Sequence, residues 1–164
     1  MTLTEGQIRH ILHKHKAWVD HFCHTGKDDV RSGTRLAIHG PELAGADLQA
    51  VVLDYAHLDG ADLRGANLRY ANLQNTLLQG ADLRDAMLTG SNFYKANLQC
   101  ADLRGTHLHN TLIQGADLRG AKIDMSFRRC LGFHRSLFTA DALPWLILHP
   151  KWSELKDTVL ITNE

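Results

Sequence analysis

From Ile38 to Ile123 a large apolar residue returns at every fifth position without exception. The series runs Ile38, Leu43, Leu48, Leu53 and so on through Phe93, Ile113 and Leu118. Two residues before each centre stands a second, usually small residue, alanine in eleven of eighteen cases. An α-helix cannot hold this pattern, because at 3.6 residues per turn a period of five smears around the axis. A long strand cannot either, because its side chains alternate with a period of two. A strict short repeat of this kind predicts a solenoid. Side chains two apart on extended backbone share a face, so the small residue and the centre point inward and the other three outward. Five residues make one side and its turn. Four sides make a coil of about 20 residues, and coils stack at about 4.8 Å, the spacing between strands.

The flanks follow other periods. Thr4-Glu5-Gly6-Gln7 fits a capping box. Ile8, Ile11, Leu12, His15, Trp18, Val19 and Phe22 then step by threes and fours, which predicts an amphipathic helix over 5–24, with Thr25-Gly26 as its stop. Its stripe needs a surface, and the open end of the repeat core supplies one. Beyond Ile123 the register would bury Arg128, so Phe127 is expected to turn inward instead. Phe133 and Phe138 then resume as centres, with Leu131 and Ser136 at the small position. The apolar run Pro144–Leu148 calls for burial, and Pro150 opens an expected short helix over 151–160. The predicted layout is an N-terminal helix and linker (1–35), regular repeats (36–125), a degenerate final coil (126–143) and a C-terminal cap (144–164).

Sorting outward positions by twenties separates the surfaces. Asp62, Asp82 and Asp102 form one column and Arg64, Arg84 and Arg104 its neighbour. This is a compensated charge lattice, and the aspartates cancel the field a phosphate would need. Two corners are rich in glycine (Gly40, Gly60, Gly80 and Gly120; Gly45, Gly65 and Gly105), as turns with positive φ require. The other two carry bulk, including Tyr55, Tyr70 and Lys95. With Tyr94 these make the expected partner surface, since tyrosine is favoured at interfaces. Leu112 and three other outward apolar residues read as scattered.

Composition narrows the chemistry. Lys+Arg and Asp+Glu both total 18 in 164 residues, so no net charge steers the chain toward nucleic acid or an anionic membrane. No apolar run is long enough to span a bilayer, and the first residues lack a secretory signal. Cys23, Cys100 and Cys130 have no metal-type spacing and read as free thiols, which suits the cytoplasm. The paired histidines His10/His13 and His21/His24 on the first helix offer the makings of a metal site without an evident third ligand, as do His107 and His109. Carboxylates held in Asp-x-Arg patterns stay ionised, a poor setting for general acid work. A filled axis leaves no room for a substrate. No enzyme activity and no cofactor are expected.

The blocks Ala61–Gly65, Ala101–Gly105 and Ala116–Gly120, all Ala-Asp-Leu-Arg-Gly, together with Ala66-Asn67-Leu68, Ala71-Asn72-Leu73 and Ala96-Asn97-Leu98, closely resemble the pentapeptide-repeat consensus A-(D/N)-L-x-x. His15-Lys16-Ala17-Trp18 also resembles a short segment that precedes the repeats in bacterial members. The resemblance implies a right-handed quadrilateral β-helix, while the rigid rod, filled core and decorated faces read from the residues themselves point to a scaffold that binds another protein. The resemblance carries two further expectations: end-to-end homodimers through the C-terminal cap, and gyrase binding by DNA mimicry as in quinolone-resistance members. The second asks for an acidic surface that this neutral chain lacks. Metal binding through the histidine-rich helix is the remaining alternative.

Overall fold

The computed structural model describes residues 3–25, 36–37 and 43–162. The expectations for Gly26, Ile38 and Gly40 lie outside the described residues. Through the repeats, parallel bridges join each bridged residue to the one a coil later: Asp47 to Asn67, Val52 to Asn72, His57 to Leu77, Asp62 to Asp82. The backbone satisfies itself between coils, as buried amides must. Leu48 N–H donates to the Asn67 carbonyl (2.8 Å), and Asn67 N–H donates back to Ala46 (2.9 Å). At the corners the small residue closes the turn onto the preceding centre, as Ala61 N–H does to Leu58 (3.1 Å). The result is a repeat β-fold of stacked twenty-residue coils. It holds few extended strands because each bridged segment is one residue wide.

The centres from Leu43 to Leu118 are buried, and alanines pack between them. Where a hydroxyl replaces alanine it donates to a backbone carbonyl, either of the coil before, as from Thr76 to Leu53 (2.7 Å), Thr111 to Leu88 (2.7 Å) and Ser136 to Ile113 (2.6 Å), or of the preceding centre, as from Ser91 to Leu88 (2.7 Å) and Thr106 to Leu103 (2.6 Å). Positive φ is not confined to the glycine corners. Ala50, Tyr55, Tyr70, Asn75, Asp85, Lys95, Cys100, Asn110 and Arg135 adopt it too. The coil geometry therefore dictates the turn on every side and imposes left-handed strain on side chains that disfavour it. At Gly105 an added Cβ would lie 2.2 Å from Asp85 Oδ1, so a larger residue there requires the Asp85 side chain to turn away.

Helix α1 spans Glu5–Thr25. Its capping box is formed: Gln7 N–H donates to Thr4 Oγ1 (3.3 Å), and Thr4 N–H donates to Gln7 Oε1 (2.8 Å). Ile8, Ile11 and Leu12 pack against the core of the first coil. His15 is fully buried and accepts from Leu36 N–H through Nδ1 (2.9 Å). His10, His13 and His24 stay exposed. No described helix is long and apolar enough to cross a membrane.

The far end departs from the register. Strand β1 (Asp117–Leu118) leads to a 3-10 helix over Met125–Arg129, with Asp124 accepting from Ser126 N–H at its start. This tight turn brings Phe127 inward and leaves Arg128 and Arg129 exposed. It shortens the spacing by one, so Leu112 bridges Leu131 rather than residue 132. Cys130 therefore occupies the inward position expected of Leu131, which is exposed. Phe133 and Phe138 are buried, and strand β2 (Leu137–Thr139) pairs with β1.

The C-terminal segment differs from the expected helix over 151–160. Helices α2 (Leu143–Ile147) and α3 (Trp152–Leu155) are short. Leu160–Thr162 forms strand β3, parallel to β2, because the open edge of the last coil offers unpaired backbone. From the run Pro144–Leu148 only Leu146 is buried, while Ile147 and Leu148 are exposed.

Candidate interaction surface

Two sides of the same coils differ in how their outer groups are satisfied. On the first, each Asp-x-Arg pair closes a bidentate fork. Arg64, Arg84 and Arg104 each place Nη2 2.6 Å from the Asp two residues earlier, with Nε within 2.9 Å of its other oxygen. Two residues apart on extended backbone is the spacing that lets a guanidinium reach back. Weaker cross-coil approaches join Arg64 to Asp82 (3.7 Å) and Arg84 to Asp102 (3.9 Å). The hydrogen bonds from these arginines hold the carboxyls of Asp62, Asp82 and Asp102 below the usual range.

The second side carries the tyrosines, and the structure divides them. Tyr55 meets Phe22 edge-on (5.2 Å between ring centroids) and Trp18 (6.3 Å), which stack on each other at 5.0 Å. It anchors α1 to the coils, and sequence reasoning missed this because the contact joins residues more than thirty positions apart. Tyr70 is 62% exposed and lies over Gly90, where an added Cβ would come 2.7 Å from its ring. Tyr94 is exposed, with Lys95 Nζ 5.1 Å from its ring centroid. Between them runs the bridged column Val52, Asn72, Asn92, Leu112 and Leu131. Its last two members are exposed, so Leu112, read as scattered from sequence, extends an apolar patch beside Tyr94.

At the α1 end of this side, the Asp54 carboxyl is buried and its pKa is pushed up to about 6 by that burial. Asn72 Nδ2 donates to Asp54 Oδ1 (2.9 Å). Asp54 Oδ2 and Asn72 Oδ1 have no hydrogen-bond partner. Among the described residues no three His, Cys, Asp or Glu side chains are grouped to hold a metal ion. Burial pushes the Cys130 thiol up to about 12, which suppresses thiolate chemistry.

The pentapeptide-repeat model matches residues 42–80, 66–105 and 86–123 in eight copies. Among curated proteins none matches the chain. Several solved structures are similar. A pentapeptide repeat protein of the Arabidopsis thaliana thylakoid lumen is 30% identical, over 50% of this chain and 57% of that one, with a TM-score of 0.49. A pentapeptide repeat protein from Nostoc PCC 7120 is 30% identical over 56% of this chain and 81% of its own, with a TM-score of 0.32. QnrB1, a plasmid-mediated fluoroquinolone resistance protein, is 17% identical over 56% and 57%, with a TM-score of 0.35. The chain thus spans little more than half the length of two of these three.

Proposed function

This chain belongs to the pentapeptide-repeat family, and from that premise we propose that it is a non-catalytic scaffold whose tyrosine side holds a protein partner. The coils are then a right-handed quadrilateral β-helix, with α1 covering one end and the C-terminal segment the other. The observation behind the reading is the unequal treatment of the two sides. The charged side spends its hydrogen bonds within the chain, whereas Tyr70, Tyr94, Leu112 and Leu131 leave apolar area in water. Aromatic anchors beside aliphatic neighbours are what hot spots are made of. Lys95, held over the Tyr94 ring, adds a charge at the rim.

Binding to a topoisomerase has no comparable support, because the aspartates of a DNA-like surface would be those already chelated by arginine. Capture of partners from a lysate of the source cells tests the proposal. Tyr70→Ala with Tyr94→Ala abolishes retention of the specific partner, and Arg64→Ala with Arg104→Ala leaves it. Retention unchanged by the tyrosine replacements rejects the assigned side.

A further inference from the structure

The tight turn at Met125–Arg129 opens a groove of about 710 Å³ between the last regular coil and the C-terminal segment. His107, His109, Arg128 and Arg129 line it, with the hydroxyls of Thr89 and Ser126. We propose that this groove binds a phosphorylated segment of a protein partner. It lies on the neighbouring face and meets the tyrosine side at the corner where Tyr70 N–H donates to the Thr89 carbonyl (3.0 Å), but the proposal does not depend on that side.

The charge distribution points to an anion. Elsewhere on the coils, Arg64, Arg84, Arg104 and Arg119 are each consumed by an aspartate two residues earlier. On the side of the groove that aspartate is missing: Met87 precedes Thr89 by two, His107 precedes His109, and Phe127 precedes Arg129. Ladder hydrogen bonds from Gly90 to His109 (2.9 Å) and from Asn110 to Arg129 (3.3 Å) stack Thr89, His109 and Arg129 in one column. Neither Arg128 nor Arg129 forms an ion pair among the described residues. Arg128 Nε donates to the Leu148 carbonyl (2.9 Å), which fixes the side chain and leaves its two Nη groups to donate elsewhere. Two acids border the groove: Asp124, engaged by Gly105 N–H (2.7 Å) and Ser126 N–H (2.8 Å), and Asp85, whose carboxylate lies against Gly105 at its edge.

Two guanidinium groups lining one groove suit a phosphate, whose oxygens accept several forked hydrogen bonds at once. Arginine clusters recognise phosphorylated peptides in this way. The groove is much larger than a phosphate group, so it also seats residues on either side of the modified one.

Fluorescence anisotropy tests the proposal with a labelled glycine-serine peptide bearing two adjacent phosphoserines. The phosphorylated peptide binds about tenfold more tightly than its unmodified counterpart. Arg129→Glu weakens it at least about tenfold, as does Thr89→Glu, which adds a carboxylate to the groove without removing an arginine. Arg64→Glu, on the compensated side, changes it less than about twofold. Equal binding of the two peptides overturns the proposal, as does an equal loss from Arg64→Glu. Inorganic pyrophosphate binding as tightly as the peptide would make this a site for free anions, and a single-stranded oligonucleotide binding more tightly would make it a nucleic-acid site. Either result overturns the phosphopeptide reading.

Discussion

The side bearing Asp62–Arg104 and the side bearing Tyr70 and Tyr94 are built on the same coils and share one axis, yet they hold opposite positions toward solvent. Leu83 lies behind the first and Ile113 behind the second, both buried. Outside, the first side closes Asp62, Asp82 and Asp102 each with an arginine, while the second leaves rings and leucines uncovered and buries a carboxyl at its α1 end. In this solenoid the inward letters set the fold and the outward ones are free to specialise. A surface that satisfies itself is solubilising, and one that does not is available to a partner.

The largest effects should ignore the distinction. Leu83→Ala and Ile113→Ala each remove a buried centre and cost about 2–5 kcal/mol by urea unfolding. A large difference between them would mean that the two sides do not share one core.

Asp54→Asn comes next and should separate the sides by pH. The folded-state pKa, about 6, lies above the ordinary value of 3.8, so the folded state holds the proton more tightly. The stability this group contributes is full below about 4 and is lost as pH rises through about 6. Near pH 8 the asparagine variant should therefore exceed the parent by at most about 3 kcal/mol, with the gap closing on acidification. Thermal melts at pH 4 and pH 8 check this, and a constant gap contradicts it.

On the compensated side the sign reverses. Hydrogen bonding from Arg84 depresses the Asp82 carboxyl, so its contribution is present above 3.8 and fades as pH falls through the lower folded value. Asp82→Asn should cost about 0.5–1 kcal/mol at neutral pH, less in high salt, since the pair is partly exposed. The smallest effect belongs to the corners. Lys95→Gly relieves left-handed strain at φ 57° and should stabilise by up to about 1 kcal/mol, offset by the greater backbone freedom of glycine.

The coils were legible in the sequence because burial at every fifth residue leaves one architecture open, and α1 because its cap and stripe agree. The Asp-x-Arg forks were legible because their partners are two residues apart. Tyr55 was misplaced because its partners Trp18 and Phe22 belong to another period. Leu112 looked scattered until its bridge to Leu131 showed the local slip of one residue. That slip arises from the 3-10 turn at Met125–Arg129, which no repeat announces. Strand β3 was hidden because what orders Leu160–Thr162 is the edge of β2, not its own side-chain pattern.

Photocrosslinking tests the central claim most directly. A photoreactive amino acid is placed at position 94 or at position 64, and both proteins are irradiated in lysate from the source cells. Cross-links to a discrete partner from position 94, with none from position 64, are the predicted result. Equal labelling from both positions, or labelling from position 64 alone, would contradict the assignment of binding to the tyrosine side.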